Sequence, residues 1–140
     1  SSYPLHTLAG MEPADRARVS LNNLDTRFDA AWLAEHPADR ALVEMSAARA
    51  ASKDPERQRG EVMQLEARRG HDVWDRLHRI SCPTLVMCGE YDGLAPRANS
   101  EAIASRITHA ELRSYQGGHM FIAQDRSASR DVLDFLAAPT

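Results

Sequence analysis

From Met11 to Ile80 the apolar residues recur every three or four positions, the spacing of a helix face rather than a strand. Pro13 suits a first helical turn, and Ala14, Ala17, Leu21 and Leu24 follow at helical spacing. Phe28 and Trp32 share a face at i, i+4, and His36-Pro37 ends that short segment because the residue before a proline is driven out of the helical region. Pro37 then opens a longer helix whose Ala41, Leu42, Met45, Ala48 and Ala51 form an apolar stripe. Asp54-Pro55 starts another, with Val62, Met63 and Leu65 opposite a charged face, and Gly70 stops it. Asp72 caps the last of the series, predicted to bury Val73, Trp74, Leu77 and Ile80. Residues 1–10 lack periodicity and read as an extended arm.

Beyond residue 80 the pattern changes to strand, helix, strand, helix. Thr84–Cys88 is nearly all apolar, as expected of a strand covered on both faces of a parallel sheet. Arg97–Ile107 is the predicted crossover helix, with Ala98, Ile103 and Ala104 towards the sheet. Ala110–Tyr115 alternates less cleanly, as a strand nearer an edge does, and Ala128–Leu136 carries Val132, Leu133, Phe135 and Leu136 back onto it. Sheets usually hold about four to six strands. Thr84–Cys88 therefore expects a neighbour that this sequence does not contain.

Each predicted strand ends in chemistry. The first runs into Gly89-Glu90-Tyr91-Asp92, the second into Gly117-Gly118-His119. Asp-Gly is a favoured turn dipeptide, so Asp92 alone would read as a turn former. A histidine arriving after a second strand reverses that balance, because an acid that orients a histidine is two-thirds of a nucleophilic triad. The third member is missing. A nucleophile elbow needs Gly-x-Ser-x-Gly or a close variant, since only small residues tolerate its strained turn. None of the seven glycines flanks a Ser, Cys or Asp in that way after a strand. Ser81, Ser114 and Cys88 lie near the strands, but nothing presents them on an elbow. The other histidines (His6, His36, His71, His78 and His109) fall on predicted helix ends or loops without paired acids.

In order and spacing, residues 71–137 resemble the C-terminal part of an α/β-hydrolase: the short helix Asp72–Ile80, Cys82-Pro83-Thr84-Leu85-Val86, Gly89-Glu90-Tyr91-Asp92 with Pro96, a helix, a second strand, Gly118-His119 and a closing helix. Residues 11–70 resemble, more loosely, the helical cap that precedes this region. The resemblance implies an α/β fold consisting of a helical cap or lid (residues 1–80) and the last β-α-β-α portion of a hydrolase core (81–140), incomplete without upstream strands. It implies that Asp92 is the triad acid and His119 the base, acting on an ester, a lactone or a related acyl compound. Epoxide hydrolases, whose nucleophile is an aspartate, share this layout. In capped members the lid helices line the pocket, which makes Phe28, Trp32, Met45 and Met63 candidate substrate contacts, with Met120 beside the base. Ordinary helix–helix core is the alternative for each.

Composition narrows the partners. A net charge of −3 argues against a nucleic-acid partner, which needs a basic surplus. No apolar run approaches the roughly 20 residues that span a bilayer, and residues 1–10 lack the pattern of a signal peptide. The arginines at 57, 59, 68 and 69 read as a solvated face. Cys82 and Cys88 are too few and wrongly spaced for a metal site, and too far apart along a strand for a disulfide. They read as free, mostly buried thiols in a reducing cytoplasm. No cofactor and no metal are implied. The expected partners are a small-molecule ester- or lactone-like substrate and either a second copy of the chain, as a homodimer, or a missing N-terminal half that supplies the rest of the sheet. By this reading the chain alone is inactive. A non-catalytic binding module derived from such an enzyme is the competing reading.

Overall fold

A computed structural model describes residues 3–8, 10–51, 54–68 and 70–138. The chain forms two compact units. One gathers Tyr3, Leu24–Thr26 and the residues from Asp72 onward, and the other holds residues from 4–23 and 27–71.

The helical unit begins with a single 3-10 turn, Leu5–Leu8, where the sequence suggests an extended arm. The predicted helices follow as α1 (Pro13–Leu24), α2 (Ala30–Glu35), α3 (Pro37–Ala51) and α4 (Pro55–Arg68). Three of them start on a proline, whose missing N–H is unneeded in a first turn. Asp29 caps α2, its carboxylate accepting the Trp32 N–H at 2.8 Å. Leu8, Leu21 and Phe28 are buried. The α3 stripe differs from expectation: Leu42 and Met45 face out, while Val43, Ser46 and Ala47 on the adjacent face are half-buried. Val62 and Met63 on α4 are exposed as well. The side chains of Ala51, Arg57, Leu65 and Arg68, that of His6, and all of Arg69 lie outside the described residues.

In the other unit, Asp72 accepts the Trp74 N–H at 2.9 Å and opens a 3-10 helix, Trp74–Arg79, rather than an α-helix. Trp74 is not buried as expected: its ring lies against the Arg106 guanidinium, 4.9 Å from the ring centre, and stays partly open to solvent. Strand β1 (Thr84–Gly89) and strand β2 (Ala110–Tyr115) pair in parallel, from Thr84 opposite Ala110 to Gly89 opposite Tyr115. Among the described residues they make a two-stranded sheet. Helix α5 (Arg97–Arg106) is the crossover and packs on both strands. Its buried contacts are Ser100 and the following Ile107, whereas Ala98 and Ile103 point outward. A one-turn helix, α6 (Phe121–Gln124), follows β2, and α7 (Arg126–Ala137) closes the chain. Helix α7 is anchored by Ala128, which has no exposed surface, while Leu133 and Leu136 face away. Cys88 is buried but Cys82 is exposed, contrary to expectation, and both thiols are free. No helix among the described residues is long and apolar enough to cross a membrane.

Candidate active site

The register of β1 and β2 brings their C-terminal ends level, so the loops after Gly89 and Tyr115 emerge side by side. Backbone hydrogen bonds continue the pairing past the strands. Glu90 N–H donates to the Tyr115 carbonyl at 3.0 Å and Tyr91 N–H to that of Gly117 at 2.9 Å. Close packing explains two of the glycines here. A Cβ on Gly89 would lie against the backbone carbonyls of Gly117 and Gly118, and one on Gly118 against Leu24 and Asp25. No described glycine has a positive φ, so close approach rather than left-handed backbone requires them.

The first loop folds on its own carboxylate. Asp92 Oδ1 accepts the N–H groups of Leu94 at 2.9 Å and Ala95 at 2.8 Å. The turn is pinned from outside by Tyr3 N–H on the Leu94 carbonyl, 2.9 Å. With Oδ1 held, Oδ2 points across to His119 Nδ1 at 2.9 Å. The aspartate side chain is 5% exposed and the imidazole 45%. A carboxylate is an acceptor, so Nδ1 is the donor in this contact, and Nε2 is the ring nitrogen that Asp92 leaves unengaged.

The second loop is tied residue by residue. Gln116 N–H donates to Asp125 at 3.0 Å, and Asp125 also caps α7 through Ser127 N–H at 2.9 Å. These donated bonds hold the Asp125 carboxyl below the usual carboxylate range, with the Ser127 hydroxyl the largest cause. Gly118 N–H donates to Gln124 Oε1 at 2.8 Å, and His119 N–H to the Leu24 carbonyl at 2.5 Å. Below the loop, the Tyr115 ring stacks on Phe121 and its hydroxyl donates to Asp131 at 2.8 Å. Burial, aided by Asp131, pushes the Tyr115 hydroxyl up to about 12. Burial likewise raises the Cys88 thiol, as expected of an unreactive packed cysteine.

The structure thus brings Asp92 and His119 into hydrogen-bond contact. Met120 follows directly and is exposed. Phe28, Trp32, Met45 and Met63 belong to the helical unit. Phe28 lines a concavity of about 590 Å³ there with Leu33, Val43 and Ala47. Trp32 is occupied by its neighbours: His36 stacks on it at 3.7 Å, Arg27 lies 4.8 Å from its ring centre, and its indole N–H donates to Asp39 at 2.8 Å. Met45 and Met63 are exposed. Sequence reasoning misses two residues beside the pair. Asp25 is almost completely buried, and Gln124 Nε2 donates to its carboxylate at 2.8 Å. The only local signal is an aspartate placed just after an apolar helix end.

The family model described as serine hydrolase (FSH1) matches residues 14–129. A poly(3-hydroxyalkanoate) depolymerase of Ectopseudomonas oleovorans is 40% identical over 63 residues, 45% of this chain and 22% of that protein. A hydrolase from Pseudomonas aeruginosa PA01 superposes with a TM-score of 0.72 at 28% identity, over 96% of this chain and 48% of its own. The enol-lactonase from Burkholderia xenovorans LB400 superposes with a TM-score of 0.74 at 23% identity, over 96% of this chain and 49% of its own. The chain therefore spans about half the length of these solved α/β-hydrolases, and its β-α-β-α sheet is part of that fold.

Proposed function

The chain belongs to the serine hydrolase (FSH1) family, and from that premise we propose that it is the acid-and-base portion of an acyl hydrolase acting on esters or lactones. The observation that carries this reading is the 2.9 Å hydrogen bond between Asp92 and His119, at the ends of two parallel neighbouring strands. In the proposed mechanism a serine on upstream sequence attacks the substrate carbonyl while His119 Nε2 takes the hydroxyl proton. Asp92 holds the ring in the tautomer that leaves Nε2 free and stabilises the imidazolium as it forms. The protonated Nε2 then gives its proton to the departing alkoxide. Water, deprotonated by the same nitrogen, attacks the acyl-serine; that proton returns to the serine oxygen, releasing the acid and regenerating the pair.

Within residues 1–80, the helical unit is proposed as the lid, with Phe28, Trp32, Met45 and Met63 towards substrate and Met120 beside the base. The ester or lactone class rests on two relatives, one named as a poly(3-hydroxyalkanoate) depolymerase and the other as an enol-lactonase. The missing strands would come from the same polypeptide or from a partner chain, and the protein is proposed to act in the cytoplasm.

The test is made on the native source, with an antibody to this chain and a fluorescent fluorophosphonate probe. A labelled band well above 15.5 kDa supports the reading. An unlabelled band at 15.5 kDa that co-purifies with no probe-labelled partner refutes it and favours a stand-alone, non-catalytic module.

A further inference from the structure

Asp25 is a buried acidic side chain outside the proposed chemistry, at 1% exposure. Burying a carboxylate is costly unless it is hydrogen-bonded, so a site that retains one has partners arranged around it. One of those partners is Gln124, and its amide is used at both ends. Nε2 donates to Asp25 and Oε1 accepts from Gly118 N–H, each at 2.8 Å. The residues on either side of Asp25 reach the two loops that carry Asp92 and His119. Thr26 N–H donates to the Tyr91 carbonyl at 2.9 Å, immediately before Asp92, and the Leu24 carbonyl accepts from His119 N–H at 2.5 Å.

We propose that Leu24–Thr26 is a strap setting the distance between acid and base, with Asp25 and Gln124 as positioning residues for His119. Gly117 and Gly118 have no side chains with which to pack their loop in place, so its placement depends on its backbone donors. Gln124 holds one of these donors, and the buried Asp25 carboxylate orients the Gln124 amide so that its oxygen faces Gly118. Without that orientation the amide can rotate, and the base loop loses a fixed point adjacent to His119. A shift of about 1 Å at a reacting group can cost about 100-fold in rate. The catalytic consequence rests on the function proposed above, whereas the geometric claim does not.

The experiment uses the native polypeptide that carries these residues and the Gln124→Met variant, which keeps the length and volume of the side chain but removes its amide. The proton on His119 Nδ1 is followed by NMR, alongside ester turnover. Gln124→Met is expected to broaden or shift the His119 Nδ1–H resonance and to lower kcat by about 10- to 100-fold with KM within about twofold. Asp25→Asn keeps an oxygen that accepts from Gln124, so it should retain the resonance and at least about half of kcat. The strap is refuted if Gln124→Met leaves both the resonance and kcat unchanged, or if Asp25→Asn is as damaging as Gln124→Met. A parent protein with the resonance but no turnover, whose resonance Gln124→Met disturbs, upholds the strap and rejects the hydrolase reading.

Discussion

Replacing Gly89 with alanine sets a methyl carbon against the neighbouring loop's backbone. It would lie 2.5 Å from the Gly117 carbonyl oxygen and 2.8 Å from the Gly118 carbonyl carbon, with the Gly118 oxygen nearer still. None of these atoms is the flexible end of a side chain, so the strand ends must part. Overpacking of this kind costs about 1–3 kcal/mol. Parting the loops also weakens the Glu90–Tyr115 and Tyr91–Gly117 backbone bonds, at about 1 kcal/mol each. The sum, about 3–5 kcal/mol, corresponds to a fall in Tm of roughly 10–15 °C for a domain of this size range. Gly60→Ala is the internal control. Gly60 lies inside α4, and a methyl carbon there would meet nothing within 4 Å. Alanine should therefore stabilise by about 0.5–1 kcal/mol through helix propensity. Both are read by thermal unfolding of the native polypeptide, monitored by circular dichroism. A Gly89→Ala protein melting within about 2 °C of its parent would refute the close-approach argument.

His119→Ala should abolish turnover, by about 10⁴-fold or more in kcat, while the melting temperature stays near that of the parent because the ring is half exposed. Asp92→Asn should lower kcat by a similar factor of about 10⁴, since an amide can hold the wrong imidazole tautomer; near-parental kcat in a steady-state assay would reject Asp92 as the orienting acid. The pH dependence follows from Tyr115. Its hydroxyl ionises at about 12 in the fold, against about 10 in an unfolded chain. The unfolded state therefore loses this proton first, and the stabilisation, complete below about pH 10, declines as pH rises towards 12. Tyr115→Phe should cost about 1 kcal/mol at neutral pH and flatten that alkaline decline, as measured by urea unfolding at pH 8 and pH 11; parallel declines would discount Tyr115.

Local signals account for what is legible along the chain. Pro13, Pro37 and Pro55 mark helix starts because proline's fixed φ and missing N–H suit a first turn. The strand expected over Ala110–Tyr115 has those bounds, and β1 extends only one residue past Thr84–Cys88. Asp92 and His119 can be paired because each follows a strand, and parallel neighbours deliver their C-terminal ends together. The α3 stripe turns out otherwise because spacing says which residues share a helix face, not which face the rest of the fold covers. Alanine and serine carry almost no hydrophobic signal, so the burial of Ala128 and Ser100 has no forewarning in the pattern.

The sequence by itself determined the order of the longer helices and the two strands, the aspartate-then-histidine layout and the lack of a nucleophile elbow within these residues, because each is written in residues adjacent along the chain. Only the tertiary structure decided what holds the pair in place. Asp25 and Gln124 are 99 residues apart and meet through packing alone. Gly89 has no room for a Cβ because the Gly117–Gly118 backbone lies against it, and Gly118 has none because Leu24 and Asp25 do, constraints that arise between segments and leave no mark in the spacing of either.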